Sequence, residues 1–286
     1  MTDSREVHVK GEGLDLAATA YGDSDDPPVV LFHGGGQTRH AWGTAGAAIA
    51  DGGRFALSVD LRGHGDSDWA PDGDYGMTGF ADDVRSVVAG LSQRPALVGA
   101  SLGGLASLVA IGESDADIAS ALVLVDVTPM VVMEGALRIR DFMMSGMDGF
   151  GSLEEAADAI SAYLPNRPRP RDLSGLRKNL RLRDGRWHWH WDPAFVGGQA
   201  GIDGQQPIVD HDRLAAAASK VTIPTLLVRG RMSDIVSEES VRELRELVPH
   251  AEVVDVAGAG HMVVGDRNDA FNDAVIEFIG RAAPLP

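Results

Sequence analysis

The chain has 286 residues, 44% of them hydrophobic and 23% charged, a formal net charge of −17 and no cysteine. That length suits one large domain with an insertion or two small ones; the acidity disfavours nucleic acid and anionic membranes, and the missing cysteine excludes disulfides, thiolate metal sites and a cysteine nucleophile. The opening MTDSREVHVK lacks the apolar core of a signal peptide and no apolar run approaches the ~18 residues of a membrane span, so a cytoplasmic enzyme or binding protein is expected.

In chain order, REVHVKGEG and LDLAATAYG alternate and read as a hairpin of two strands. PPVVLFHGGG is a short continuous apolar run ending in glycines, the pattern of a strand buried on both faces. HAWGTAGAAIADG reads as a helix, RFALSVD as a buried strand and LRGHGDSDWAPDGDYG as a loop. MTGFADDVRSVVAGLS has helical spacing, with Thr78 as its expected N-cap. PALVGA, LGGLASLVAIGES and ASALVLVDV follow as strand, helix and strand.

After Val127 the rhythm changes. Residues 128–219 hold no buried-strand run and read as helices over 131–146, 152–164, 172–182 and about 210–219. The alternation then resumes with PTLLVRG, SEESVRELRELVP, AEVVDVAGA and NDAFNDAVIEFIGRA. The expected fold is α/β: a mainly parallel, eight-stranded sheet with helices on both faces, a core of 1–127 and 220–286, and a helical cap of 128–219 inserted after the sixth strand.

Ligands of such a sheet meet the carboxyl ends of its strands. Ser101, Asp126, Asp234, His261 and the HGGGQ loop all follow strands there. Gly99-Ala100-Ser101-Leu102-Gly103 matches G-x-S-x-G, which puts a serine on a cramped strand-to-helix turn with small neighbours on either side. The bend exposes the hydroxyl and aims the first N–H groups of the next helix, beginning with Leu102, at a developing oxyanion.

With HGGGQ, DLRGHGDS, GASLGG, RGRMSD and GAGH in this order, the sequence resembles the α/β-hydrolase family over essentially its whole length. Within that family the likeness is to lidded esterases, C–C hydrolases and cofactor-free haloperoxidases. The resemblance implies Ser101 as nucleophile, His261 as the base and Asp234 as the acid that orients it, with Asp126 the competing acid. It also implies an oxyanion hole from the N–H groups of Leu102 and Gly35, Gly36 being the alternative after a one-residue shift. No cofactor and no metal are implied. The expected activity is hydrolysis of a small, largely apolar carboxylic ester; alternatives are cleavage of vinylogous diketones, perhydrolysis, or ligand reception on a hydrolase scaffold.

Asp60, Arg62 and His64 read as an ordered turn with a buried ion pair, and His33 as a ring bonded to neighbouring loops. RWHWHW brings two histidines without a carboxylate, a poor metal site, and its tryptophans suit packing or a pocket wall. The arginines from Arg167 to Arg186 read as a solvated face with local ion pairs, and Met130, Met144, Trp187, Trp189 and Met262 are expected to line the substrate pocket.

Overall fold

The computed structural model describes residues 3–164, 169, 172–197, 209–257 and 268–285. Its strands are β1 (Ser4–Lys10), β2 (Asp15–Tyr21), β3 (Pro28–Phe32), β4 (Phe55–Val59), β5 (Ala96–Ala100), β6 (Ala121–Val125), β7 (Leu180–Arg183), β8 (Arg186–Trp189), β9 (Thr225–Gly230) and β10 (Glu252–Val256). Its helices are α1 (Gly43–Asp51), α2 (Met77–Ala89), α3 (Leu102–Gly112), α4 (Met133–Met144), α5 (Leu153–Tyr163), α6 (Pro193–Gly197), α7 (His211–Ala218), α8 (Glu238–Leu247) and α9 (Asn268–Ala282).

Eight strands form one sheet in the order β1-β2-β4-β3-β5-β6-β9-β10. The pairs β1/β2 and β2/β4 are antiparallel and the others parallel. The continuous apolar runs occur because both faces are covered: Val30 and Phe32 join one buried cluster while Val29 and Leu31 join the other. Helices α2, α3, α7 and α8 cover the first face, and α1 and α9 the second. Burial of each such side chain favours folding by roughly 1.5–3 kcal/mol. From β3 the chain passes to β4 on one side and later to β5 on the other, so the carboxyl ends of β3 and β5 flank the point where strand order reverses.

The segment between β6 and β9 departs from its expected wholly helical character. Where a helix over 172–182 was expected, residues 174–178 form a short 3₁₀ turn and β7 follows, pairing with β8 beyond it as an antiparallel hairpin. The signal was Asp184-Gly185: both adopt positive φ, 49° and 77°, the conformation that a two-residue hairpin turn needs. At its end this segment re-enters the core layers, since α7 packs so closely on α3 that a Cβ on Gly112 would overlap the Ala217 backbone. Thr78 lies inside α2, whose N-cap is Gly76, and its hydroxyl accepts a hydrogen bond from Arg213 at 3.0 Å.

Candidate active site

Ser101 stands between β5 and α3 with φ 46° and ψ −115°, a backbone state that costs a non-glycine residue of order 1–3 kcal/mol. The glycines beside it are sterically required. A Cβ on Gly99 would lie 2.5 Å from the Gly103 backbone, and one on Gly103 would lie 2.5 Å from the Phe32 carbonyl oxygen. The Ser101 N–H donates to Val125 O at 3.1 Å, tying the bend to the end of the adjacent strand β6.

The HGGGQ loop crosses beside this bend; a Cβ on Gly34 would come within 3.3 Å of Ser101 Cβ. Two of its three glycine N–H groups are engaged. Gly34 donates to Gln37 Oε1 at 3.0 Å and Gly36 to His64 Nε2 at 3.1 Å. The N–H groups of Gly35 and Leu102 donate to no other described group, and both residues line the same cavity as Ser101. Of the two candidates Gly35 and Gly36, only Gly36 thus has its N–H engaged by a described group.

The two candidate acids differ sharply in setting. Asp126 follows β6 at the level where Ser101 follows β5, since Ala100 and Val125 are register partners. It too has positive φ, 48°, and it is fully buried. Its Oδ1 accepts from Gly230 N–H at 2.9 Å and its Oδ2 from the Ser233 hydroxyl at 2.5 Å. Asp234 has a side chain 42% exposed and ion-paired with Arg138. It lines a second surface depression with Glu134, Arg138 and Ser237 and is not among the residues that line the Ser101 cavity. His261 and Met262 lie outside the described residues.

The cavity at Ser101 measures about 480 Å³ and is walled mainly by apolar groups of the sheet rim, α4, α5 and the end of β8. Trp189, one of the residues expected at a substrate pocket, lines this cavity and stacks on Trp191, 4.8 Å between ring centroids. Met144 instead is 46% exposed, and Met143, one helical step (about 100°) away, faces the cavity and is buried. Met130 and Trp187 do not line it; Trp187 lies under the Arg177 guanidinium. Arg140 and Lys178 give the wall its cationic groups.

Among the described residues, other arginines expected on a solvated face are taken up locally: Arg169 with Asp158, Arg181 with Asp66, Arg183 over the Trp69 ring, and Arg186 on the Asp148 and Gly149 carbonyls; Arg167 and Arg171 lie outside the described residues. The 60–68 turn holds buried ion pairs, Asp60 with Arg39, and Arg62 with Asp83 at 2.6 Å. Among the described residues no three histidine or carboxylate side chains gather as a metal site. His190, which sequence reasoning treated only as half of a poor metal pair, is buried beside His64.

A family model described as alpha/beta hydrolase fold matches residues 27–267. The chain belongs to the α/β-hydrolase fold family. It is 32% identical over 273 residues to the esterase Rv0045c of Mycobacterium tuberculosis, covering 91% of this chain and 85% of that one. It is 30% identical over 260 residues to a 2-(acetamidomethylene)succinate hydrolase of Mesorhizobium japonicum, covering 88% of each. A crystal structure of E-2-(acetamidomethylene)succinate hydrolase superimposes with a TM-score of 0.82 at 25% identity, covering 97% of this chain and 99% of that one. These α/β-hydrolase relatives are hydrolases, esterases among them, and they support hydrolase activity here. No helix among the described residues is long and apolar enough to cross a membrane.

Proposed function

We propose that this α/β-hydrolase cleaves carboxylic esters of small, largely apolar substrates through an acyl-serine intermediate. The observation that carries the reading is Ser101 on its strained bend, opening into an apolar cavity beside two undirected backbone N–H groups. Ser101 Oγ attacks the ester carbonyl while His261, which follows β10 in the sequence, takes the hydroxyl proton. The oxyanion accepts hydrogen bonds from Gly35 and Leu102 at the positive end of α3; each such donor is worth about 3 kcal/mol in the transition state. His261 then protonates the departing alcohol. Water enters, gives its proton to the imidazole and attacks the acyl-serine, releasing the acid and restoring Ser101.

For the acid that orients His261, burial and register favour Asp126 over Asp234. A carboxylate accepts about four hydrogen bonds, so the grip of Asp126 on Gly230 and Ser233 is compatible with another to an imidazole. Asp234, exposed and paired with Arg138, would provide a weaker and more screened partner. The segment between β6 and β9 would act as a cap, closing the apolar side of the cavity and excluding water from the acyl group.

Arg140 and Lys178 favour a second reading in which the substrate carries a carboxylate, as the name of the succinate hydrolase relative suggests for that protein. A panel of p-nitrophenyl esters of varied acyl length, run beside hemisuccinate esters, separates the two: neutral short or medium acyl groups should turn over with the higher kcat/KM. A preference of tenfold or more for the hemisuccinates would favour the second. In either case Ser101→Ala should lower kcat by about 10⁵-fold or more. Turnover retained in that variant would overturn the acyl-serine mechanism.

A further inference from the structure

Three consecutive glycines, Gly34 to Gly36, carry the oxyanion loop, and glycine has the greatest backbone freedom of any residue. Gly35 has no side chain to hold its N–H on target, so its direction is set by what grips the neighbouring peptide units; within the loop, Gln37 donates its N–H to Gly34 O at 3.0 Å and accepts the Gly34 N–H at Oε1. Three buried histidines surround the loop. His33, His64 and His190 are each at most 1% exposed, with ring centroids 5.2 Å apart for His33–His64 and 5.8 Å for His64–His190.

Their hydrogen bonds define one tautomer for each ring. His33 Nε2 accepts from Leu61 N–H at 3.0 Å, so Nδ1–H donates to Gly34 O at 2.8 Å. His64 Nε2 accepts from Gly36 N–H at 3.1 Å, so Nδ1–H donates to Arg62 O at 2.9 Å. His190 Nδ1 accepts from Gly65 N–H at 2.7 Å, so Nε2–H donates to Gly36 O at 3.3 Å. Every ring accepts one backbone N–H and donates to one backbone carbonyl, a pattern open only to neutral imidazole. Burial acts in the same direction, holding His33 down to about 4, His64 to about 3 and His190 well below its ordinary value.

We infer that His33, His64 and His190 are positioning residues that grip three successive peptide units of the glycine loop and so direct the Gly35 N–H toward the substrate oxygen. His33 holds the carbonyl of the 34–35 peptide. In a trans peptide the N–H points away from the C=O, so this bond, together with the one from Gln37 N–H to the same oxygen, sets the direction of the Gly35 donor. His64 takes up the N–H of the 35–36 peptide, which keeps Gly36 from competing for the oxyanion. His190 holds the carbonyl of the 36–37 peptide. Because His190 follows β8, the segment inserted between β6 and β9 completes the oxyanion hole as well as covering the cavity. Arg181 on β7 fastens that segment to the same turn, bonding Gly65 O at 3.1 Å and Asp66 at 2.6 Å.

This inference rests on the proposed acyl-serine chemistry, and two readouts on the full chain separate them. The first is independent of turnover: ring ¹⁵N shifts at pH 7 should show His33 and His64 as neutral Nδ1–H tautomers and His190 as the neutral Nε2–H tautomer. The second compares His64→Ala with His64→Gln, whose Oε1 can accept in place of Nε2. His64→Ala should lower kcat about 10- to 100-fold with KM within about twofold, and weaken a trifluoromethyl ketone inhibitor by the same factor as kcat. His64→Gln should recover most of both. An Nε2–H tautomer at His64, or kcat unchanged in His64→Ala while turnover depends on Ser101, would overturn the positioning role alone. Turnover that survives Ser101→Ala would overturn the acyl-serine reading and this one with it. Should His64→Ala fail to fold, the ring tautomers and His64→Gln decide: kcat and inhibitor affinity within about threefold of the wild type support the role, and an Nε2–H tautomer overturns it.

Discussion

Ser101 and Asp126 share a positive φ at the same level of adjacent parallel strands, and neither is a residue that adopts this state at no cost. Strained backbone clusters at functional sites, so its presence at two neighbouring strand ends supports the proposed chemistry at residue 101. Ser101 was legible in the sequence because its pattern is local: five residues, two of them glycines that no Cβ could replace. The choice of acid is less legible, because Asp126 and Asp234 both follow strands, and tertiary placement is what separates a buried carboxylate at the level of the serine bend from one that faces solvent with Arg138. Gly35, with Gly36 as the alternative after a one-residue shift, stays an expectation from sequence for the same reason; in the structure His64 accepts the Gly36 N–H. Asp126→Asn is therefore expected to lower kcat about 10³- to 10⁴-fold, through loss of a correctly oriented, charge-stabilised imidazole. Asp234→Asn, which removes an exposed ion pair, should leave kcat within about threefold. Steady-state kinetics on both variants, beside their thermal midpoints, check the assignment; the reverse order of effects would restore Asp234 as the acid.

At the scale of elements, the sheet was readable because each buried strand is a five- or six-residue apolar run closed by glycine or a polar turn. The β7–β8 hairpin was not, because LRLR is too short to separate strand from helix by periodicity, and the Asp184-Gly185 turn held the decisive signal. Pocket walls were harder still. A helix turns about 100° per residue, so an error of one position exchanged buried Met143 for exposed Met144. The α3–β3 contact allows a direct test. Gly103→Ala drives a methyl into the carbonyls of Phe32 and His33 and should cost about 1–3 kcal/mol of stability by urea unfolding. It should also lower kcat, because His33 O accepts the Gly103 N–H and the same histidine bonds the Gly34 carbonyl of the glycine loop proposed to hold the oxyanion.

For the whole molecule, three buried neutral histidines join the HGGGQ loop, the 60–68 turn and the inserted segment into one unit, and this has a consequence for acid stability. Their folded pKa values lie below the unfolded one near 6.5. The unfolded chain then binds more protons than the folded one at pH below about 6.5, so their contribution is complete above that pH and is lost as pH falls toward 4 and 3. Each fully depressed ring adds a slope of about 1.4 kcal/mol per pH unit in that window. Urea unfolding between pH 4.5 and 7 should show stability falling with acid, and His64→Gln should remove one ring's share of the slope; identical slopes in the two proteins would show that His64 is not held neutral.

The central claim is that a single hydroxyl, forced out of the sheet at residue 101, carries the chemistry. Its most direct test is to treat the protein with a limiting fluorophosphonate and follow adduct formation by peptide mass spectrometry alongside ester turnover. One adduct per chain should appear, on the peptide holding Ser101, with activity falling in proportion to labelling. Full labelling at Ser101 with turnover intact, or inactivation by an adduct elsewhere, would contradict the account.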